Sequence, residues 1–253
     1  EGLQHEDGHS HILAGTIPNC VSYDPTFGFE VVVIIQDGIR RMYENNENVY
    51  YYVTVMNENY TQPEMPKGAE EGIRKGMYLL KQIDASKKSA RVQLMGSGTI
   101  LREVIAAAEL LQKDFDIASD IWSATSFTEL GRDGMACERW NRMHPEAAPR
   151  LPFVAQCLEK RSGPVIAASD YMRAFPEQIR SNISQKFVTL GTDGFGRSDT
   201  RANLREFFEV NRHHVVIASL KALADEGTID KKKVSEAIKK YGVNIEKAVP
   251  WVA

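Results

Sequence analysis

From Ala90 onward the chain alternates short β-branched runs with amphipathic stretches, and that alternation narrows the possible folds more than any other feature. Residues 90–95, 117–123, 164–168 and 186–190 read as strands. Between and after them, 100–113, 128–143, 171–183, 200–209, 213–226 and 232–241 carry helical spacing, with Gly242 placed to cap the last. Strands separated by helices of this length imply an α/β fold with a mostly parallel sheet covered on both faces. Upstream, 19–24 and 49–56 read as buried strands around a helix over 27–43, the second half of another α/β unit. Residues 57–68 hold two prolines and no periodicity, which marks a boundary, and 68–80 is weakly helical.

The chain opens on Glu1-Gly2-Leu3-Gln4-His5-Glu6-Asp7-Gly8-His9-Ser10-His11, where three of its six histidines and three carboxylates crowd together. His5 to His9 spells H-E-x-x-H, a zinc-peptidase pattern that works only on a helix, where the two imidazoles share a face. Here Asp7 and Gly8 oppose a helix, Gly costing about 1 kcal/mol against Ala, and no apolar periodicity surrounds the motif. The segment is expected to be a loop without a metal.

Other stretches invite chemistry less strongly. A strand, Gly96-Ser97-Gly98 and a helix make the shape of a phosphate cradle, but the dinucleotide and P-loop glycines are missing, so a tight turn is expected. Leu190 to Asp199 is a glycine-dense loop, expected to use positive φ and to cap the next helix with Ser198 or Asp199. His213 and His214 are adjacent, hence about 100° apart on a helix, and cannot readily grip one metal. His144, before Pro145 at a helix end, is given no chemistry. Cys137 lies near Asp133 and Glu138, which should raise its thiol pKa, and no G-x-S-x-G elbow offers a serine nucleophile.

A net charge of −3, without a single-sign basic block, gives no footprint for nucleic acid or an anionic membrane. No run of about 18 apolar residues is present, and three cysteines without C-x-x-C spacing suggest reduced thiols in a cytoplasmic protein. The abrupt start at Glu1 suggests a fragment of a longer polypeptide.

The opening segment, with Thr16-Ile17-Pro18-Asn19-Cys20 and Tyr23-Asp24-Pro25, resembles the homodimeric pyruvate dehydrogenases that form the first component of the pyruvate dehydrogenase complex. The resemblance extends through Tyr50-Tyr51-Tyr52, Asn57-Glu58-Asn59-Tyr60, the Gly68 to Gly76 run, Thr125 to Leu130, Cys137 to Asn141 and the Gly191 to Asp199 loop. It implies the end of a thiamine diphosphate pyrimidine-binding domain (1–57), a linker (58–68) and a transketolase-like C-terminal α/β domain (69–253). It implies further a cytoplasmic, homodimeric enzyme of glycolytic carbon flow that decarboxylates pyruvate and passes the acetyl group to the lipoyl group of its partner, dihydrolipoyl acetyltransferase. His5 inherits the role of an active-site histidine that contacts the cofactor-bound substrate; Glu1 corresponds to a second carboxylate of the active-site funnel. His9 and His11 are expected to support the loop. The cofactors would be thiamine diphosphate and Mg2+, but the Gly-Asp-Gly and Asn-Asn fingerprint that holds them in this superfamily is absent, so their main ligands are expected upstream. A reading from another class is a non-catalytic α/β module for dimerisation or docking.

Overall fold

The computed structural model describes residues 7–87 and 89–252; Glu1 and His5 lie outside the described residues. The chain forms two units. The first holds α1 (Ser10–Gly15), β1 (Cys20–Tyr23), α2 (Gly28–Ile39) and β2 (Tyr50–Val53), with β1 and β2 paired in parallel from Cys20↔Tyr50 to Tyr23↔Val53. The apolar spacing over 27–43 gives an α-helix only to Ile39; a π-helical turn, Arg40–Glu44, continues it. Val21, Tyr23 and Ile34 meet Ile73 and Tyr78 of the second unit in one buried cluster, so the small sheet is not packed by itself.

Residues 54–69 contain no helix or strand, yet they do not dangle. Tyr60 donates its hydroxyl proton to Thr26 O, its ring lies 4.5 Å beneath the Arg102 guanidinium, and Glu58 pairs with Arg102 at 2.7 Å. The segment is a strap across both units.

The second unit holds α3 (Glu70–Lys75), β3 (Tyr78–Ile83), β4 (Arg91–Gly96), α4 (Leu101–Phe115), β5 (Ala118–Ser123), α5 (Phe127–Met143), α6 (Phe153–Leu158), β6 (Val165–Ala168), α7 (Ala174–Glu177), β7 (Phe187–Leu190), α8 (Arg201–Phe207), α9 (Arg212–Asp225) and α10 (Lys232–Tyr241). Its sheet runs β3-β5-β4-β6-β7, parallel except for the edge strand β3, which pairs antiparallel with β5. Alternate residues of each strand feed opposite faces. Val92, Leu94, Ile121 and Ile166 pack under α4 and α9, while Met95, Trp122, Val165 and Ala167 pack under α5 and α6. Gly242, at φ 64°, ends α10 as expected.

Several expectations need correction. The strand expected to be buried over 49–56 is only β2, four residues long and exposed or half-buried at each of them. Residues 68–80 are not one weak helix but α3, a turn and the start of β3. The helix expected over 171–183 shrinks to α7 and a single 3-10 turn, Arg180–Asn182. The short helix α6 carries no strong sequence signal and is an addition to the expected elements.

Candidate functional site

The crevice of interest lies at the carboxyl ends of β1, β4, β6 and β7, where the first unit meets the second. In the sheet, the chain leaves β4 for β5 on one side and returns to β6 on the other, which makes the β4–β6 boundary a topological switch point.

The described part of the histidine segment is tied down on both sides. The Asp7 carboxylate accepts the backbone N–H groups of Ser10 (2.8 Å) and His9 (3.2 Å) and the Ser10 hydroxyl, capping α1 with a negative charge at its N-terminal end. Gly8 O accepts the Met172 N–H at 3.1 Å, binding the loop to the second unit. His9 is exposed.

His11 is completely buried, and its surroundings come from both units. Its ring stacks on Phe175 at 4.8 Å and meets Tyr171 (4.6 Å) and Tyr52 (5.4 Å) edge-on. Burial pushes its pKa down to about 4, so the imidazole is neutral at working pH. Nε2 lies 3.0 Å from Thr54 Oγ1, and that hydroxyl gives its only proton to Asp24 Oδ1 at 2.8 Å. Nε2 therefore carries the ring proton and donates to Thr54, leaving Nδ1 bare and without a hydrogen bond.

The chain His11–Thr54–Asp24 ends in the Gly96-Ser97-Gly98 turn. Asp24 is 5% exposed, and burial pushes its carboxyl up to about 7, against the Thr54 hydrogen bond that favours the anion. Its main chain is fixed as well: Asp24 N–H donates to Thr125 O at 2.8 Å, and Gly98 N–H donates to Asp24 O at 3.0 Å. Gly98 has φ 48°, and a Cβ there would collide with the Asp24 carboxylate. The turn with the shape of a phosphate cradle thus holds a carboxylate of the chain itself, and no room is left in it for a diphosphate.

Glu30 is a second buried carboxylate, which the sequence reading missed. It accepts from Tyr78 Oη (2.7 Å), Ser123 Oγ (2.6 Å), Phe27 N (2.9 Å) and Thr26 N. Burial raises its pKa, but four donors satisfy it, so it locks the start of α2 to β3 and β5 and is not available for catalysis. Only its place three residues into α2, as in a capping box, could have drawn attention to it.

The remaining candidates settle into structural roles. Thr192 N–H donates to Tyr171 O (3.0 Å) and Arg173 pairs with Asp193 (2.7 Å), zipping the glycine loop to the turn after β6. Thr200, not Ser198 or Asp199, caps α8 through Asn203 N–H; Asp199 accepts from Thr200 N–H beside it. His214 is engaged with Asn211 at 2.9 Å, while His213 stacks on Tyr241 and His144 on Trp140. Burial, then Asp133, raises the Cys137 thiol, and burial lifts Cys157 to about 11. Among the described residues no group of three His, Cys, Asp or Glu side chains is placed to hold a metal ion. No described helix is long and apolar enough to cross a membrane.

Comparison with known proteins adds to this geometry. Residues 1–63 match the family described as the pyruvate dehydrogenase E1 component middle domain, and residues 76–211 match the transketolase-like TK C-terminal domain. The chain is 61% identical over 251 residues to the pyruvate dehydrogenase E1 component of Pseudomonas aeruginosa, and 56% identical over 255 to that of Escherichia coli. These matches cover 99% and 100% of the chain but only 28% of each relative, so the chain spans little more than a quarter of their length. Among solved structures, transketolase from Campylobacter jejuni superposes with a TM-score of 0.60 at 17% identity, covering 87% of this chain and 29% of that one. Transketolase from Leishmania mexicana gives 0.55 at 14% identity, covering 88% and 28%. At such identities the likeness shows the fold alone.

Proposed function

Because the chain belongs to the transketolase-like C-terminal domain family and is related throughout its length to pyruvate dehydrogenase E1 components, we propose that it is part of a thiamine diphosphate-dependent pyruvate dehydrogenase. Residues 1–57 are the end of the pyrimidine-binding domain, 58–68 the linker and 69–253 the C-terminal domain. The parent is a cytoplasmic homodimer that oxidatively decarboxylates pyruvate and passes the acetyl group to the lipoyl group of dihydrolipoyl acetyltransferase. The observation that carries this reading is identity of 56–61% extending over essentially the whole chain.

The chain's own contribution is the histidine segment. A near-neutral imidazole can donate at one nitrogen and accept at the other at working pH, so His5 acts as hydrogen-bond donor or proton-transfer group toward the substrate, with Glu1 as a second funnel carboxylate. The residues just after His5 support this role: Asp7, Gly8 and His11 are each anchored, and an anchored loop holds a catalytic group in a narrow range of positions. The described residues do not fit a diphosphate and its magnesium, since Asp24 fills the one turn of suitable shape among them. The main ligands of thiamine diphosphate and Mg2+ therefore belong to sequence outside this chain.

The reading as an assembly module also has support. Val32, Ile35 and Ile39 form an exposed apolar stripe along α2, which suits a face covered in a dimer. Calorimetric titration of thiamine diphosphate with Mg2+ into the full-length protein and into residues 1–253 side by side tests the proposal. Binding by the full-length protein alone is expected; binding by neither would overturn it.

A further inference from the structure

A second cavity, separate from the His11–Thr54–Asp24 chain, opens on the crevice. It encloses about 210 Å³, lies outside the carboxyl ends of β6 and β7, and reaches back to the turn after β4. In open α/β sheets this is where ligands are held.

Its polar wall is dominated by guanidinium groups. Arg201 and Arg205 stand one turn apart on α8, so both face the same way, and Arg197 joins them from the glycine loop. Arg205 is oriented in advance: its guanidinium donates to Thr99 Oγ1 at 2.8 Å and to Glu103 at 3.2 Å, with its side chain only 14% exposed. Arg201 donates to Asn57 Oδ1 at 3.0 Å. Glu58 Oε2 approaches Arg201 and Arg205 only to 3.7 and 3.9 Å and accepts no hydrogen bond, so it balances their charge without occupying their donors.

Asp7 is engaged with the start of α1, Asp170 faces the arginines and Glu103 pairs with Arg205, so what distinguishes the cavity is its oriented N–H donors and not a surplus of positive charge. The Thr99 hydroxyl completes the donors of the lining, while Thr192 gives its hydroxyl proton to Asp170 O at 2.9 Å. Planar forks beside a hydroxyl suit the oxygens of a phosphate or carboxylate, and the volume suits a small molecule.

We propose that this cavity binds a small oxyanion, a phosphate- or carboxylate-bearing compound, held by Arg197, Arg201 and Arg205, with Asp170 accepting from a hydroxyl of the ligand. The binding itself does not depend on the proposed dehydrogenase activity.

Inorganic phosphate, and separately malonate, titrated by calorimetry into the full-length protein test the site and tell the two anion classes apart. At least one is expected to bind with a Kd of about 1 mM or tighter. Arg197→Ala and Arg201→Ala, both at the protein surface, should each weaken it at least about tenfold. Arg139→Ala makes the same charge change on α5 outside the cavity and should leave it unchanged. No binding of either anion at about 10 mM would overturn the proposal. So would equal weakening by Arg139→Ala, which would mark a diffuse charge effect.

Discussion

The carboxylate of Asp24 lies so close to Gly98 that a Cβ at residue 98 would stand 2.5 Å from Oδ2 and 2.6 Å from Oδ1. Seventy-four residues apart in sequence, the two fix the first unit on the carboxyl edge of the second unit's sheet.

Gly98→Ala is therefore expected to destabilise the protein by at least about 2 kcal/mol, since it adds a clash to a positive φ. Urea denaturation measures this. Asp24→Ala in the same chain should relieve much of the cost, because the clash needs both side chains. An unchanged midpoint in Gly98→Ala would show that the turn opens freely.

The buried Asp24 carboxyl also gives stability a pH dependence. Its ordinary value is 3.8 and its folded value about 7. Between those values the folded protein keeps a proton that the unfolded chain has released. The stabilisation is thus complete below the unfolded value, declines as pH rises, and is gone above the folded one. His11 acts in the opposite sense: its folded value, about 4, lies below the ordinary 6.5, so its contribution grows with pH across that interval. Asp24→Asn removes one slope and leaves the other. Relative to that variant, the wild type should lose up to about 4 kcal/mol between roughly pH 4 and pH 7. A difference that does not change with pH would contradict the assignment.

His11→Ala removes a ring packed between Tyr52, Tyr171 and Phe175, and should cost about 3 kcal/mol, as aromatic-to-alanine changes in cores do. His11→Phe keeps the ring and loses the hydrogen bond to Thr54, so it should recover most of that stability. Thermal unfolding distinguishes them; equal losses would place the stabilisation in the hydrogen bond instead of the packing.

The alternation of β-branched runs with amphipathic helices is enough to read the parallel sheet, because strands buried on both faces and helices with one apolar stripe are local patterns. β3 escapes such a reading because a bulge between Leu79 and Lys81 breaks its two-residue period. The stretch around Tyr171 to Ile183 looks helical because its apolar spacing suits a helix, but Pro176 cannot extend one beyond a first turn. The site is legible only in part. The Gly-Ser-Gly turn has the shape of a cradle in the sequence alone, but its occupant, Asp24, comes from another unit and no local pattern links the two. The cavity arginines likewise gain meaning only when α8 packs beside the β4 turn.

The most direct measurement is steady-state turnover of pyruvate by the full-length protein carrying His5→Ala, alongside the wild type. A fall of at least about tenfold, with unfolding unchanged, is expected of a lost acid–base or hydrogen-bonding group. Wild-type turnover in that variant would contradict the account and return the histidine segment to a structural role.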